Sequence, residues 1–194
     1  IAAACGLVEG RTNVVLTTAR SVQEACETDA RIRQAVVSVE PPARIRVKVM
    51  ERRAELYAVL PDGLWAISPQ GEIFAPVEAS ALRPLPILTG AADLLRDDPE
   101  PVKPPSRAPV EEKRAYRALV ETRRDRAEKR AILLREALSL ARITTRDPVP
   151  GWRGQSLELS WDPVMGLTVA PLTGGLEVRY GHAPFGMKHR RLKQ

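Results

Sequence analysis

Aromatic residues are scarce in this chain, at 4% of 194 residues, so any core must rest on Val, Leu, Ile and Ala. A groove that stacks bases or sugar rings is hard to assemble from so few flat side chains. Cysteine and histidine occur twice each. Two thiols need histidine or carboxylate help to hold zinc, and His182 and His189 lie far along the chain from Cys5 and Cys26, which argues against a metal centre. No run of about 18 or more apolar residues occurs, so no segment reads as a bilayer span, and no signal-peptide core is visible. The chain opens at Ile1 in place of an initiator methionine and reads as a piece of a longer protein whose targeting signal lies upstream.

Catalytic signatures are missing as well. There is no G-x-S-x-G elbow, no H-E-x-x-H, no P-loop and no G-x-G-x-x-G after a strand. His182 and His189 are seven apart with Pro184 and Gly186 between them, so they read as surface histidines and not as a helical pair. Asp97, Asp98 and Glu100 lack the spacing and central glycine of a calcium loop, and read as the acidic flank of a flexible linker. The sequence therefore predicts a protein that is not an enzyme and uses no cofactor.

Charge is present but mixed: 30 Lys and Arg stand against 24 Asp and Glu, for a net +6. In the densest run, Arg123, Arg124, Arg126, Lys129 and Arg130 alternate with Glu121, Asp125 and Glu128, so that Asp125–Lys129 and Arg124–Glu128 fall at helical i,i+4 spacing. Such internal pairing predicts a solvated helix face, with no nucleic acid bound. Lys188, Arg190, Arg191 and Lys193 at the C-terminus are less compensated and are the better candidates for an anionic partner.

Periodicity divides what remains into a small α+β module and a longer, mostly antiparallel β region with one long helix. In the first, residues 1–5 read as a helix closed by Gly6, and a second helix starts with Ser21 as N-cap and Glu24 as its capping-box partner, ending near Asp29. Strands are predicted over Gln34–Glu40 and Arg44–Met50, turned by Pro41 and Pro42. Cys5 and Cys26 both fall in this module. Bonded, they close a loop of about 22 residues, worth roughly 3 kcal/mol in the chain-entropy account; unbonded, they are two small buried apolar residues. Spacing alone leaves both readings open.

In the longer region, Leu56–Leu60, Leu64–Ile67 and Glu72–Phe74 form a predicted meander with turns at Asp62-Gly63 and Gln70-Gly71. Pro76, Pro84 and Pro86 hold an extended connection. Residues 97–110 carry Pro99, Pro101, Pro104, Pro105 and Pro109 and read as a mobile surface insertion. A helix is predicted over Glu111–Ile143, its first half projecting into solvent because Arg123 interrupts the apolar stripe. Strands follow over Ser156–Trp161, Leu167–Ala170 and Leu176–Tyr180, the last two joined at Gly174-Gly175.

Several strings resemble one family in order. RIRQAVVSVEPPARIRVKVMERR at 31–53 resembles the end of an FtsQ/DivIB-type POTRA domain, with its Ile-x-x-Ala-x-Val strand, proline turn and alternating strand. LYAVLPDGLWAISPQGEIFAP at 56–76 and LPILTG at 85–90 are similar to the opening of that family's β domain. LREALSLA at 134–141 and LEVRYG with MKHRRL at 176–192 follow at about the family's spacing; the Pro-rich insertion has no counterpart.

The resemblance implies a POTRA-like domain over 1–53 lacking its first strand, and a β domain over 54–194 lacking its C-terminal strands. It further implies the periplasmic part of a single-pass inner-membrane protein, anchored through an upstream span, that scaffolds the divisome and binds FtsB-like and FtsL-like partners without a cofactor. In the family the last strand captures the FtsB-like partner by strand addition. Here the implied contact is the next border inward, at Leu176, Val178 and Tyr180, with Gln34 and Val37 on the POTRA strand as contacts for upstream partners. A POTRA-bearing outer-membrane assembly or secretion component is the alternative, and a basic nucleic-acid-binding protein a more distant one.

Overall fold

A computed structural model of the chain describes residues 18–40 and 44–193. The fold is α+β, and the chain divides into two compact units, Ile1–Ala54 and Glu55–Gln194. The helix expected over residues 1–5, Cys5 and the Pro41-Pro42 turn lie outside the described residues.

In the smaller unit, helix α1 (Ala19–Glu27) packs on a two-stranded antiparallel sheet of β1 (Ile32–Glu40) and β2 (Arg44–Glu51). The expected N-cap is corrected: Thr18 caps α1, its Oγ1 accepting the Ser21 N–H at 3.2 Å, so Ser21 sits inside the first turn. Glu24 pairs instead with Arg20 at 2.8 Å. The threonine one turn earlier already supplies the hydroxyl acceptor that a free helix N–H needs, and the helix begins there. Val22 and Cys26, four apart and hence on one face, pack against Ile32 and Ala35, with Val37, Val47 and Val49 half-buried around them. Cys26 is fully buried and disulfide-bonded.

The larger unit is built on a seven-stranded sheet in the order β5-β4-β3-β6-β7-β8-β9. Its strands are β3 (Leu56–Leu60), β4 (Gly63–Ile67), β5 (Ile73–Pro76), β6 (Ile87–Thr89), β7 (Leu157–Asp162), β8 (Gly166–Pro171) and β9 (Val178–Gly181). The meander β3-β4-β5 and the hairpins β7-β8 and β8-β9 are antiparallel. Strand β6, which the sequence pattern leaves inside an extended connection, pairs parallel with both β3 and β7. Parallel neighbours need a long crossover, and here it consists of the short helix α2 (Ala92–Leu95), a proline-rich segment and helix α3 (Val110–Arg146).

Only the second half of α3 packs on the sheet: its buried residues run from Leu133 to Thr144. Leu133, Leu134, Leu138 and Leu140 meet Leu56, Leu88, Leu157, Leu159, Leu167 and Val169 in one core. Burying each such side chain contributes roughly 1.5–3 kcal/mol, whereas an exposed ion pair contributes about 0–1 kcal/mol. Leucines therefore hold the helix down. The fork from Arg142 to Glu55, at 2.7 and 2.8 Å, with a third bond to the Pro69 carbonyl, fixes where along the sheet it lies.

The proline-rich segment departs from the sequence expectation. Asp98 accepts two bonds from Arg126, at 2.7 and 2.8 Å, Asp97 pairs with Arg130, and Lys113 donates to the Ser106 carbonyl at 2.7 Å. The segment is thus a strap lying antiparallel along the first half of α3. Nine residues of polyproline backbone from Asp97 to Ser106 span about 28 Å, and the helix from Arg130 back to Lys113 spans about 26 Å, so strap and helix keep pace. The acidic residues read as a linker flank are its tether. Among the described residues, the expected pairs Asp125–Lys129 and Arg124–Glu128 do not form; the cations of this run that close ion pairs are Arg126 and Arg130, which reach across to the strap.

Candidate functional site

Two strands border the large sheet. β5 is four residues long and ends in Pro76, which has no N–H to offer, so this border is a poor template for another strand. β9 is bordered on one side by β8 and by no strand on the other among the described residues. The strand expected over Leu176–Tyr180 is shifted: it runs Val178–Gly181, and Leu176 lies before it, exposed, with its carbonyl accepting the Trp152 indole N–H at 3.1 Å. Val178 and Tyr180 are buried in the core and orient the strand from below. Its free face is left to backbone and to Arg179, which is exposed beside Glu177 at 3.6 Å. Between β8 and β9 the ladder is irregular at Leu167/Thr168, where Leu167 faces Gly181 and Thr168 faces Arg179, so Tyr180 is the extra residue of a bulge.

The chain beyond β9 folds back as helix α4 (Gly186–Arg191), where the sequence reading expects only a basic tail. Phe185 and His189, four apart, put both rings on the core side. His189 is a correction to the surface reading: it is buried, with Nε2 2.6 Å from the Asp147 carbonyl and Nδ1 2.7 Å from the Tyr180 hydroxyl. A carbonyl only accepts, so Nε2 carries the ring proton and the hydroxyl of Tyr180 donates to Nδ1. The Phe185 ring meets Tyr180 edge-on, centroids 6.1 Å apart. Burial pushes the Tyr180 phenol up to about 12.

Lys188, whose ammonium lies over the Phe185 ring at 5.9 Å from its centroid, donates to the Tyr180 carbonyl at 2.7 Å and to the His182 carbonyl at 2.6 Å. Lys193 pairs with Asp147, and this ammonium holds the Asp147 carboxyl below its usual range. Two of the four cations expected to wait for an anionic partner are therefore engaged within the fold; Arg190 and Arg191 stay exposed. His182 lies on the surface as expected, 3.4 Å from Glu136, whose other oxygen accepts the Ala183 N–H. The i,i+4 spacing of Phe185 and His189 directly after Pro184 was the readable signal for this helix.

On the sheet face away from α3, strands β7 to β9 line a shallow hollow of about 440 Å³ with Glu158, Ser160, Thr168, Glu177 and Arg179. Glu158 is taken by the Thr89 hydroxyl at 2.6 Å. Among the described residues no three His, Cys, Asp or Glu side chains come together as a metal site would require.

In the smaller unit Gln34 and Val37 point to opposite faces of β1. Val37 packs towards α1 while Gln34 is exposed with Val36 on the outer face, so the two expected contact residues do not share a surface. On β2, Met50 faces Gln34 and Val47 faces Val37, Lys48 stands across from Val36, and Arg44 and Arg46 reach Glu40 at 3.9 and 3.1 Å.

No helix among the described residues is long and apolar enough to cross a membrane. No protein-family model matches the chain, and no curated protein matches it.

Proposed function

We propose that this chain is the periplasmic part of an inner-membrane divisome scaffold of the FtsQ/DivIB type, which holds FtsB-like and FtsL-like proteins during septation and carries out no reaction. The observation that carries the reading is the border of β9: a strand flanked, among the described residues, by the single neighbour β8 and seated by two buried side chains, with no described strand along its outer backbone. Such a border recognises an extended segment through main-chain hydrogen bonds, and side chains alternating along the added strand set its specificity. The ordered motifs at 31–53, 56–76, 85–90, 134–141 and 176–192 carry the resemblance to that family. The division into two compact units agrees with a POTRA-like domain followed by a β domain.

The mode of action is geometric. Strand addition fixes a partner's register and direction relative to the sheet, and the leucine-packed α3 keeps that sheet rigid. The test is co-purification of the chain with the periplasmic segments of an FtsB-like and an FtsL-like protein, each expressed with it. Retention of either supports the reading; loss of both under conditions in which each segment is soluble refutes it.

A further inference from the structure

Residues 98–105 are held extended by their own covalent chemistry. Pro99, Pro101, Pro104 and Pro105 fix φ at about −65°, and Asp98, Glu100, Lys103 and Pro104 each precede a proline, which disfavours the helical region for them. Val102 alone escapes both restraints. None of 98–104 enters a backbone–backbone hydrogen bond among the described residues, as in a polyproline II helix, whose backbone is left to solvent. The run ends in a turn, where the Ala108 N–H donates to the Pro105 carbonyl at 2.9 Å.

A polyproline II helix has three residues per turn, so its side chains stand in three rows. The row of Asp98, Pro101 and Pro104 is half-buried, and the bonds from Arg126 to Asp98 turn it toward α3. Pro99, Val102 and Pro105 make a second row that is exposed along its length, with Val102 90% exposed. The third row carries Glu100 and Lys103, both exposed. Lys103, and Arg107 in the closing turn, make no ion pair among the described residues. The strap is thus an apolar ridge with uncompensated cations toward its C-terminal end. It is pinned at one end by Arg126 and Arg130 and at the other by Lys113 on the Ser106 carbonyl, so much of the ordering that a free proline-rich peptide must undergo on binding is already done.

A ridge of this period fits a groove walled by aromatic side chains, and cations at its end fit carboxylates on the rim of such a groove. We propose that the strap is a docking ligand presented by α3: Pro99, Val102 and Pro105 seat in the aromatic groove of a partner protein domain, and Lys103 and Arg107 meet acidic side chains at its rim. Two turns of polyproline II belong with interfaces below about 1,200 Å², so the contact is weak and reversible. The strap is a different element from the β9 border, and the inference stands apart from the proposed function.

Isothermal titration calorimetry of the full chain tests it. The probe is a purified SH3-type domain with an aromatic groove and an acidic rim, beside a variant of that domain whose rim carboxylates are changed to amides. The chain should bind the first at a single site and the second about tenfold more weakly. Val102→Asp should abolish binding, and Lys103→Glu with Arg107→Glu should weaken it about tenfold. All three side chains are exposed, so circular dichroism and melting temperature should not change. Asp97→Asn with Asp98→Asn frees the strap while leaving the ridge intact, and should weaken binding about fivefold because the ordering then falls on the binding step. No saturable binding up to about 1 mM, or binding indifferent to Val102→Asp or to the charges on both sides, would overturn the proposal. So would tighter binding by the freed strap, since the recognised face would then be the row of Pro101 and Pro104 that α3 covers.

Discussion

The ammonium of Lys188 lies 2.7 Å from the carbonyl of Tyr180, placing a donor where a further strand would present its own N–H. Exposed strand borders are commonly guarded by lysine, and here the guard comes from the helix that follows the strand. Lys188→Met keeps most of the side-chain bulk and removes the donor. The account expects unfolding stability to fall by about 1 kcal/mol and a strand-forming peptide from an FtsB-like partner to bind about fivefold more tightly in an anisotropy titration. Unchanged binding would mean that lysine and peptide do not compete for that carbonyl.

Tyr180 and His189 are coupled through one buried hydrogen bond of 2.7 Å. Removing the hydroxyl in Tyr180→Phe leaves Nδ1 of His189 without its donor, at a cost of about 1–3 kcal/mol. His189→Phe should destabilise by a similar amount. Measured by urea unfolding, the double variant should lose less than the sum of the two, with a coupling of about 0.5 kcal/mol or more. Strict additivity would contradict the assigned donor and acceptor.

Alkaline pH gives a second reading of the same ring. The Tyr180 phenol is raised by burial from 10.0 to about 12. A folded-state value above the unfolded one means the stability contributed by the neutral phenol is whole below the unfolded value and is lost as pH rises through the folded one. Absorbance at the phenolate band should show one of the three tyrosines ionising late, and unfolding stability should decline between about pH 10 and 12. In Tyr180→Phe that part of the decline should vanish.

Gly166 and Gly181 face each other where β8 and β9 begin to separate. Both have positive φ, +78° and +68°, and a Cβ on Gly166 would sit 2.4 Å from the Gly181 carbonyl carbon. Backbone cannot yield as a flexible side chain does. Gly166→Ala should therefore cost more than about 2 kcal/mol and loosen β9 first, visible as faster amide exchange in Val178–Gly181 than in β3.

Much of this architecture is legible in the sequence because both units follow simple periods. Ile45, Val47 and Val49 alternate with Arg44, Arg46 and Lys48 along β2, and the leucines of α3 recur at helical spacing from Leu133. Strand β6 escapes the pattern because three residues are too few to show a period, and its pairing is decided by neighbours far along the chain. The strap escapes it for a different reason. Proline composition reports local stiffness, and says nothing of the partners, Arg126 and Arg130, that lie 28 and 33 residues beyond Asp98 and Asp97. At the candidate site, Val178 and Tyr180 are named correctly as β9 residues, yet their side chains face the core and the border belongs to backbone and Lys188. A β-strand pattern fixes which residues alternate; which face is buried depends on what folds over it.

The most direct test of strand addition at β9 is hydrogen–deuterium exchange of the full chain with and without the periplasmic segment of an FtsB-like protein. The account predicts new amide protection concentrated in Val178–Gly181, with β5 unchanged. Binding accompanied by protection elsewhere, and none along β9, would contradict it.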